Sequence, residues 1–224
     1  MSLFFTPRKF SAESKEQAVR ELLENAVPDR DFYLLVIGAI ILAAAGILTD
    51  SIPVLIASMI VAPLAYPILA LGLGIVVRDG RLIFRSLGMI LISIVSAIVI
   101  AGFFSLFAKS YFTVVSERVF VKFFPNYFFD ILIAVISGAI ASYGLIRTKV
   151  GAAMTGIGIA VSLMPPLVAI GIGLFDQATA GLASRAFMIF ILNILGILAA
   201  SIITFLFFGL QKQHRAVSRS NNFK

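Results

Sequence analysis

Inside its long apolar runs this sequence carries few groups able to do chemistry, and most of them stand beside prolines. Ser58, Pro63, Tyr66 and Pro67 lie in the stretch SMIVAPLAYP, Ser162, Pro165 and Pro166 in SLMPP, and Asn193 in a later run. A proline has no backbone N–H and clashes with the preceding turn, so it frees a carbonyl and opens the helix that holds it. Half-helix N-termini then offer N–H groups to anions, and half-helix C-termini offer carbonyls to cations. Hydroxyls, a phenol and an amide beside such breaks could make direct contacts with a solute. Each serine taken alone is more often bonded to its own helix, whereas an amide at mid-depth, as at Asn193, needs a partner on a neighbouring helix or on a substrate. Other chemistry is poorly supplied. Cysteine is absent, the single histidine is His214 near the charged C-terminal end, and all 11 acidic residues lie outside the uncharged runs. Nucleophilic catalysis, a resident metal and a cofactor are therefore not expected. Without a carboxylate at mid-membrane, a carboxylate proton relay is not expected either.

The elements that must position these groups are membrane helices. Sixty per cent of the 224 residues are hydrophobic and 13% are charged, with mean hydropathy +1.06, far more apolar than a water-soluble domain requires. Six uncharged runs, at 32–49, 51–77, 86–108, 131–146, 150–175 and 186–211, approach or exceed the roughly 20 helical residues needed to cross a bilayer. The first residues lack the apolar core of a signal peptide, which puts the N-terminus inside. Six crossings would then leave Lys109, Arg118, Lys122 and Arg185 outside and the other 14 of the 18 Lys and Arg inside. The expected location is the inner membrane, with both termini cytoplasmic. The net charge of +7 accordingly reads as basic inner loops rather than nucleic-acid binding.

The second and fifth runs are the long ones, and each carries its prolines near the middle. The first break should open residues 62–67. Such a break must face protein or water, because its backbone groups would be unsatisfied in lipid. Moving the second half over the first by 103 positions sets Ala62, Pro63 and Leu64 on Pro165, Pro166 and Leu167. Each half is one ordinary span, one broken span and one ordinary span, and three is odd, so the halves must lie in opposite orientations. The expected fold is all-α: a polytopic membrane protein of six transmembrane helices, built as two inverted three-helix repeats with proline-broken second and fifth spans. Its domains are a cytoplasmic segment at 1–30 with a short amphipathic helix, a transmembrane domain at 31–211, and a basic cytoplasmic tail at 212–224. The transmembrane domain divides into repeat one at 31–108, an outer interfacial linker at 109–126 and repeat two at 127–211. The short helix has Ser14 and Gln17 as a capping box, shares Val19, Leu22, Leu23 and Ala26 on one face, stops at Pro28, and reads as lying solvated near the membrane surface.

The pattern SMIVAPLAYPILALGLGIVVRDGRL, followed by GIGIAVSLMPPLVAIGIGL, resembles the bacterial and archaeal hydrophobic protein family catalogued as domain of unknown function 389. The resemblance covers both proline-bearing runs and implies a membrane domain over most of 32–208. It brings no substrate and no catalytic residues. Many members carry a soluble N-terminal domain, where this chain has the short helix.

Repeats of this kind, with discontinuous helices meeting near the midplane, point to a transporter or channel for a small ion or solute, with a slight preference for an anion from the basic loops. The alternative is a membrane assembly or sensor protein that binds another protein. Expected partners are the lipid bilayer, the small ion or solute, and further copies of the chain in a dimer or trimer.

Overall fold

The computed structural model describes residues 12–108, 127–147, 152–175 and 180–212, excepting the side chains at 108, 152–161, 180 and 182. The expected linker at 109–126 and the tail from 213 onward lie outside the described residues. The fold is all-α: α1 (Ala12–Asn25), α2 (Arg30–Leu48), α3 (Ile52–Val61), α4 (Ala65–Val77), α5 (Gly80–Ala108), α6 (Tyr127–Ile146), α7 (Ala152–Phe175) and α8 (Ala180–Phe208). Four stretches, Arg30–Leu48, Gly80–Phe107, Tyr127–Ile146 and Ala183–Phe208, are long and apolar enough to cross a membrane, and the bent pair α3–α4 makes a fifth. The protein is thus a multi-pass α-helical membrane protein. Ser162–Phe175 of α7 is also apolar.

Local chemistry sets the boundaries. Asp29 caps α2 by accepting the Phe32 N–H at 2.8 Å. Pro53 sits in the first turn of α3, where no intrahelical N–H is lost. At the other end of α3 the residue before Pro63 is Ala62, held extended at φ −65°, ψ 120°, as the proline ring requires of its predecessor. The chain resumes helix at Ala65 after turning 47°. Pro67 falls in the first turn of α4 and interrupts nothing, so the break is confined to 62–64 rather than the expected 62–67. After α4 the backbone turns at Arg78, in the left-handed region at φ 59°, ψ 40°. Asp79 then starts α5 by accepting the N–H groups of Arg81 and Leu82 at 3.0 and 3.2 Å.

The fifth run departs from expectation: α7 is one helix from Ala152 to Phe175, with Pro165 and Pro166 inside it. The prolines remove donors there without opening the chain.

Packing links the two halves. Within the first, α2 packs on α3 and α5, and α4 on α5; within the second, α6 packs on α7 and α8, and α7 on α8. Across the halves α4 packs on α8 and α7 on α5, while α3 and α4 both meet α7. Small residues allow the close approaches. A Cβ added at Gly171 would lie 2.8 Å from the Ala97 carbonyl oxygen and 3.0 Å from the Ala101 Cβ, and one at Gly138 would lie 2.8 Å from the Ile197 Cα. The small-residue spacing at 93, 97 and 101 is therefore used, in part, to join α5 to α7 within one chain.

Candidate functional site

The second proline pair builds a polar locus from three residues. In a helix the N–H of residue 166 would bond the carbonyl of residue 162, and Pro166 has none to give. Asn193, halfway along α8, supplies the replacement: its Nδ2 donates to the Ser162 carbonyl at 2.7 Å. Both residues are deeply buried, with Ser162 7% and Asn193 3% exposed. Because a carbonyl can only accept, the amide must turn its NH2 group toward it, which leaves Oδ1 as the other end. That Oδ1 and the Ser162 hydroxyl are both buried without a hydrogen-bond partner.

The state of Ser162 differs from that of most buried hydroxyls here. Ser58 donates to Leu55 O at 2.6 Å, Ser93 to Met89 O, Ser105 to Gly102 O and Ser142 to Gly138 O, each within its own helix. Ser58 is therefore satisfied locally, as the commoner role for such a serine holds. An unpaired polar atom in a membrane interior has no bulk water to turn to and costs on the order of 1–3 kcal/mol.

The first break is arranged differently. Ala62, Leu64, Ala65 and Pro67 are buried, whereas Pro63 and Tyr66 are half-buried. Tyr66 turns toward α1, where its hydroxyl donates to Glu21 Oε1 at 3.3 Å. The residues expected to act together thus divide: Ser162, Pro166 and Asn193 meet, with Pro165 beside them on α7, while Ser58 and Tyr66 bond elsewhere. The side chain of Thr155, another hydroxyl on the fifth run, lies outside the described residues.

Glu21 belongs to a helix expected to lie solvated, yet Ala18, Val19, Leu22 and Ala26 are completely buried. α1 packs on α4 and α6, and two cations fix it. Lys15 Nζ donates to the Phe208 carbonyl at 2.6 Å, at the C-terminus of α8, and Arg85 Nη2 donates to the Leu23 carbonyl at 3.2 Å, near the C-terminus of α1 itself. Both contacts place positive charge on carbonyls in the last turn of a helix, at the negative end of its dipole. Burial raises the Glu21 carboxyl above its ordinary range; the Tyr66 hydrogen bond pulls it down and neighbouring Glu24 pushes it up. Sequence reasoning missed Glu21, Lys15 and Arg85 as a set, because each reads as an ordinary surface charge until its distant partner is known.

These contacts also define one end of the bundle. Arg147 donates to the Tyr143 hydroxyl at 2.9 Å, and the Tyr143 ring lies 6.0 Å from that of Phe208. A cavity of about 220 Å3 lined by Val76, Val77, Arg78 and Gln211 joins the ends of α4 and α8. The Arg185 guanidinium, by contrast, lies over the Tyr127 ring at 5.7 Å, where α6 and α8 begin.

The model of a domain of unknown function (DUF389) matches residues 59–199, which takes in the α3–α4 break, the proline pair of α7 and Asn193. An uncharacterised protein of Methanocaldococcus jannaschii is 29% identical over 209 residues, covering 88% of this chain. The chain spans 62% of that relative's length. No solved structure matches. With most of its membrane domain inside the matched region, the chain belongs to the domain of unknown function 389 family.

Proposed function

We propose that this protein moves a small ion or solute across the inner membrane, along a path where the α3–α4 break approaches the proline pair of α7. The observation that carries this reading is the buried pair of unpaired polar atoms, Ser162 Oγ and Asn193 Oδ1, on two adjoining helices at mid-length, joined by the bond from Asn193 to the Ser162 carbonyl. A protein needing only a hydrophobic scaffold gains nothing from leaving them unsatisfied. In this reading six spans form two inverted repeats, α2–α5 and α6–α8. Support comes from the packing, since exchanging the halves turns the α4–α8 contact into α7–α5 and the α2–α5 contact into α6–α8. Support for a cytoplasmic location of the α1 end comes from its arginines, Arg78, Arg85 and Arg147, against Arg185 at the other. The residues flanking the first break and the proline pair are largely buried by side chains, so the path is closed in this conformation and opens by a movement of the α3–α4 pair or of α1.

The same close packing supports a second reading, a non-transporting membrane protein that assembles with a protein partner. Ion flux into proteoliposomes under an imposed potential separates the two, with Pro63→Ala/Pro166→Ala as the altered control. Transport predicts flux of one class of ion that the control loses. Folded protein that passes no member of an ion and small-solute panel above empty liposomes supports the partner-binding reading instead.

A further inference from the structure

The polar locus on α7 and α8 has a chemical preference of its own. Asn193 Oδ1 is an acceptor only, and the Ser162 hydroxyl oxygen carries two acceptor lone pairs. Pro165 also withholds a donor from the carbonyl four residues earlier, at 161, which is a further oxygen on the same turn of α7. No Lys, Arg or His occurs in the runs at 150–175 or 186–211, so an anion placed here would face oxygen dipoles with no compensating charge within those runs. We propose that Ser162 Oγ and Asn193 Oδ1, beside the proline pair of α7, form part of a binding site for a monovalent alkali cation.

Ligand type sets the class of ion. Calcium and magnesium sites draw on carboxylates, and none occurs in these runs; softer metals want imidazole or thiolate, and no group of three His, Cys, Asp or Glu gathers among the described residues. Neutral hydroxyl, amide and backbone oxygens are the set that replaces the hydration shell of a singly charged cation. This assignment departs from the anion preference that the basic loops suggest: those loops act at the surface, whereas selection at depth is made by the atoms that touch the ion. It deepens the transport reading and rests on it for passage of the ion, though not for binding.

The test is equilibrium binding of radioactive sodium and rubidium to the purified full chain in a choline buffer, with displacement by unlabelled alkali chlorides. Saturable binding of about one ion per chain is expected, weakened about tenfold or more in Ser162→Ala. Asn193→Ala also strips the donor from the Ser162 carbonyl and can unfold the helix pair. Ser162→Ala keeps that hydrogen bond and so keeps the test decisive. No displaceable binding by folded protein, or binding unchanged in Ser162→Ala, overturns the site and leaves the atoms to a trapped water. Binding without flux would retain the site while sinking transport, and anion flux without cation binding would do the reverse.

Discussion

Asn193 does for α7 what Pro166 prevents the backbone from doing. This makes the two residues energetically dependent on each other. Asn193→Leu should destabilise the folded protein by about 1–2 kcal/mol, because it leaves the buried Ser162 carbonyl unpaired. In a Pro166→Ala background the backbone N–H of residue 166 can bond that carbonyl, so the same change should cost much less. A double-mutant cycle on unfolding in detergent measures the difference. Additive effects would mean that the amide and the proline serve separate ends. Half of this relation was legible in the sequence. That a mid-span amide needs a partner follows from its burial, and that Pro166 frees a carbonyl follows from its ring. Their meeting depends on the register of α8 against α7, where Gly173 closely approaches Ala183, and that register has no local signature.

Among the elements, the α3–α4 break and α7 show how context decides what a proline does. Pro63 forces its predecessor out of helix and bends the pair by 47°, while Pro165 and Pro166 are carried inside a continuous helix. Both sites read alike in sequence, since each has prolines at the middle of a long apolar run. In α7 the lost bond is replaced from α8, so the helix continues, a compensation that no inspection of the run itself discloses. α1 carries the parallel lesson: its apolar face was legible, but not what it covers. Its docking should depend on pH through Glu21, whose carboxyl burial raises. The folded protein holds that proton more tightly than the unfolded chain, so the group adds stability as pH falls through its raised value and withdraws it as pH rises through it. The effect is modest, because the carboxyl is only partly buried. Hydrogen exchange in α1 should therefore speed up as pH rises above the usual glutamate range, after correction for intrinsic exchange. Glu21→Gln should remove this dependence and keep the helix docked. The same pH response in the variant would assign it to another group.

Across the whole molecule, α2–α5 and α6–α8 interlock through the α3–α4 pair and α7, and one end of the bundle is closed by α1 through Lys15, Arg85 and Tyr66. In the proposed transport function this is a closed conformation of a pathway, not a permanently sealed core. Because the chain contains no cysteine, a single introduced thiol reports its own surroundings without background. The most direct measurement is labelling of Ser162→Cys by a charged, membrane-impermeant thiol reagent, with Leu195→Cys, 56% exposed on the apolar surface of α8, as the lipid-facing control. A pathway predicts that the thiol at 162 reacts from the aqueous phase, faster than the control, and is protected by the transported ion. If it is as inert as the thiol at 195 in folded, membrane-inserted protein, water does not reach the proline pair and the central claim of a path between α3–α4 and α7 is contradicted.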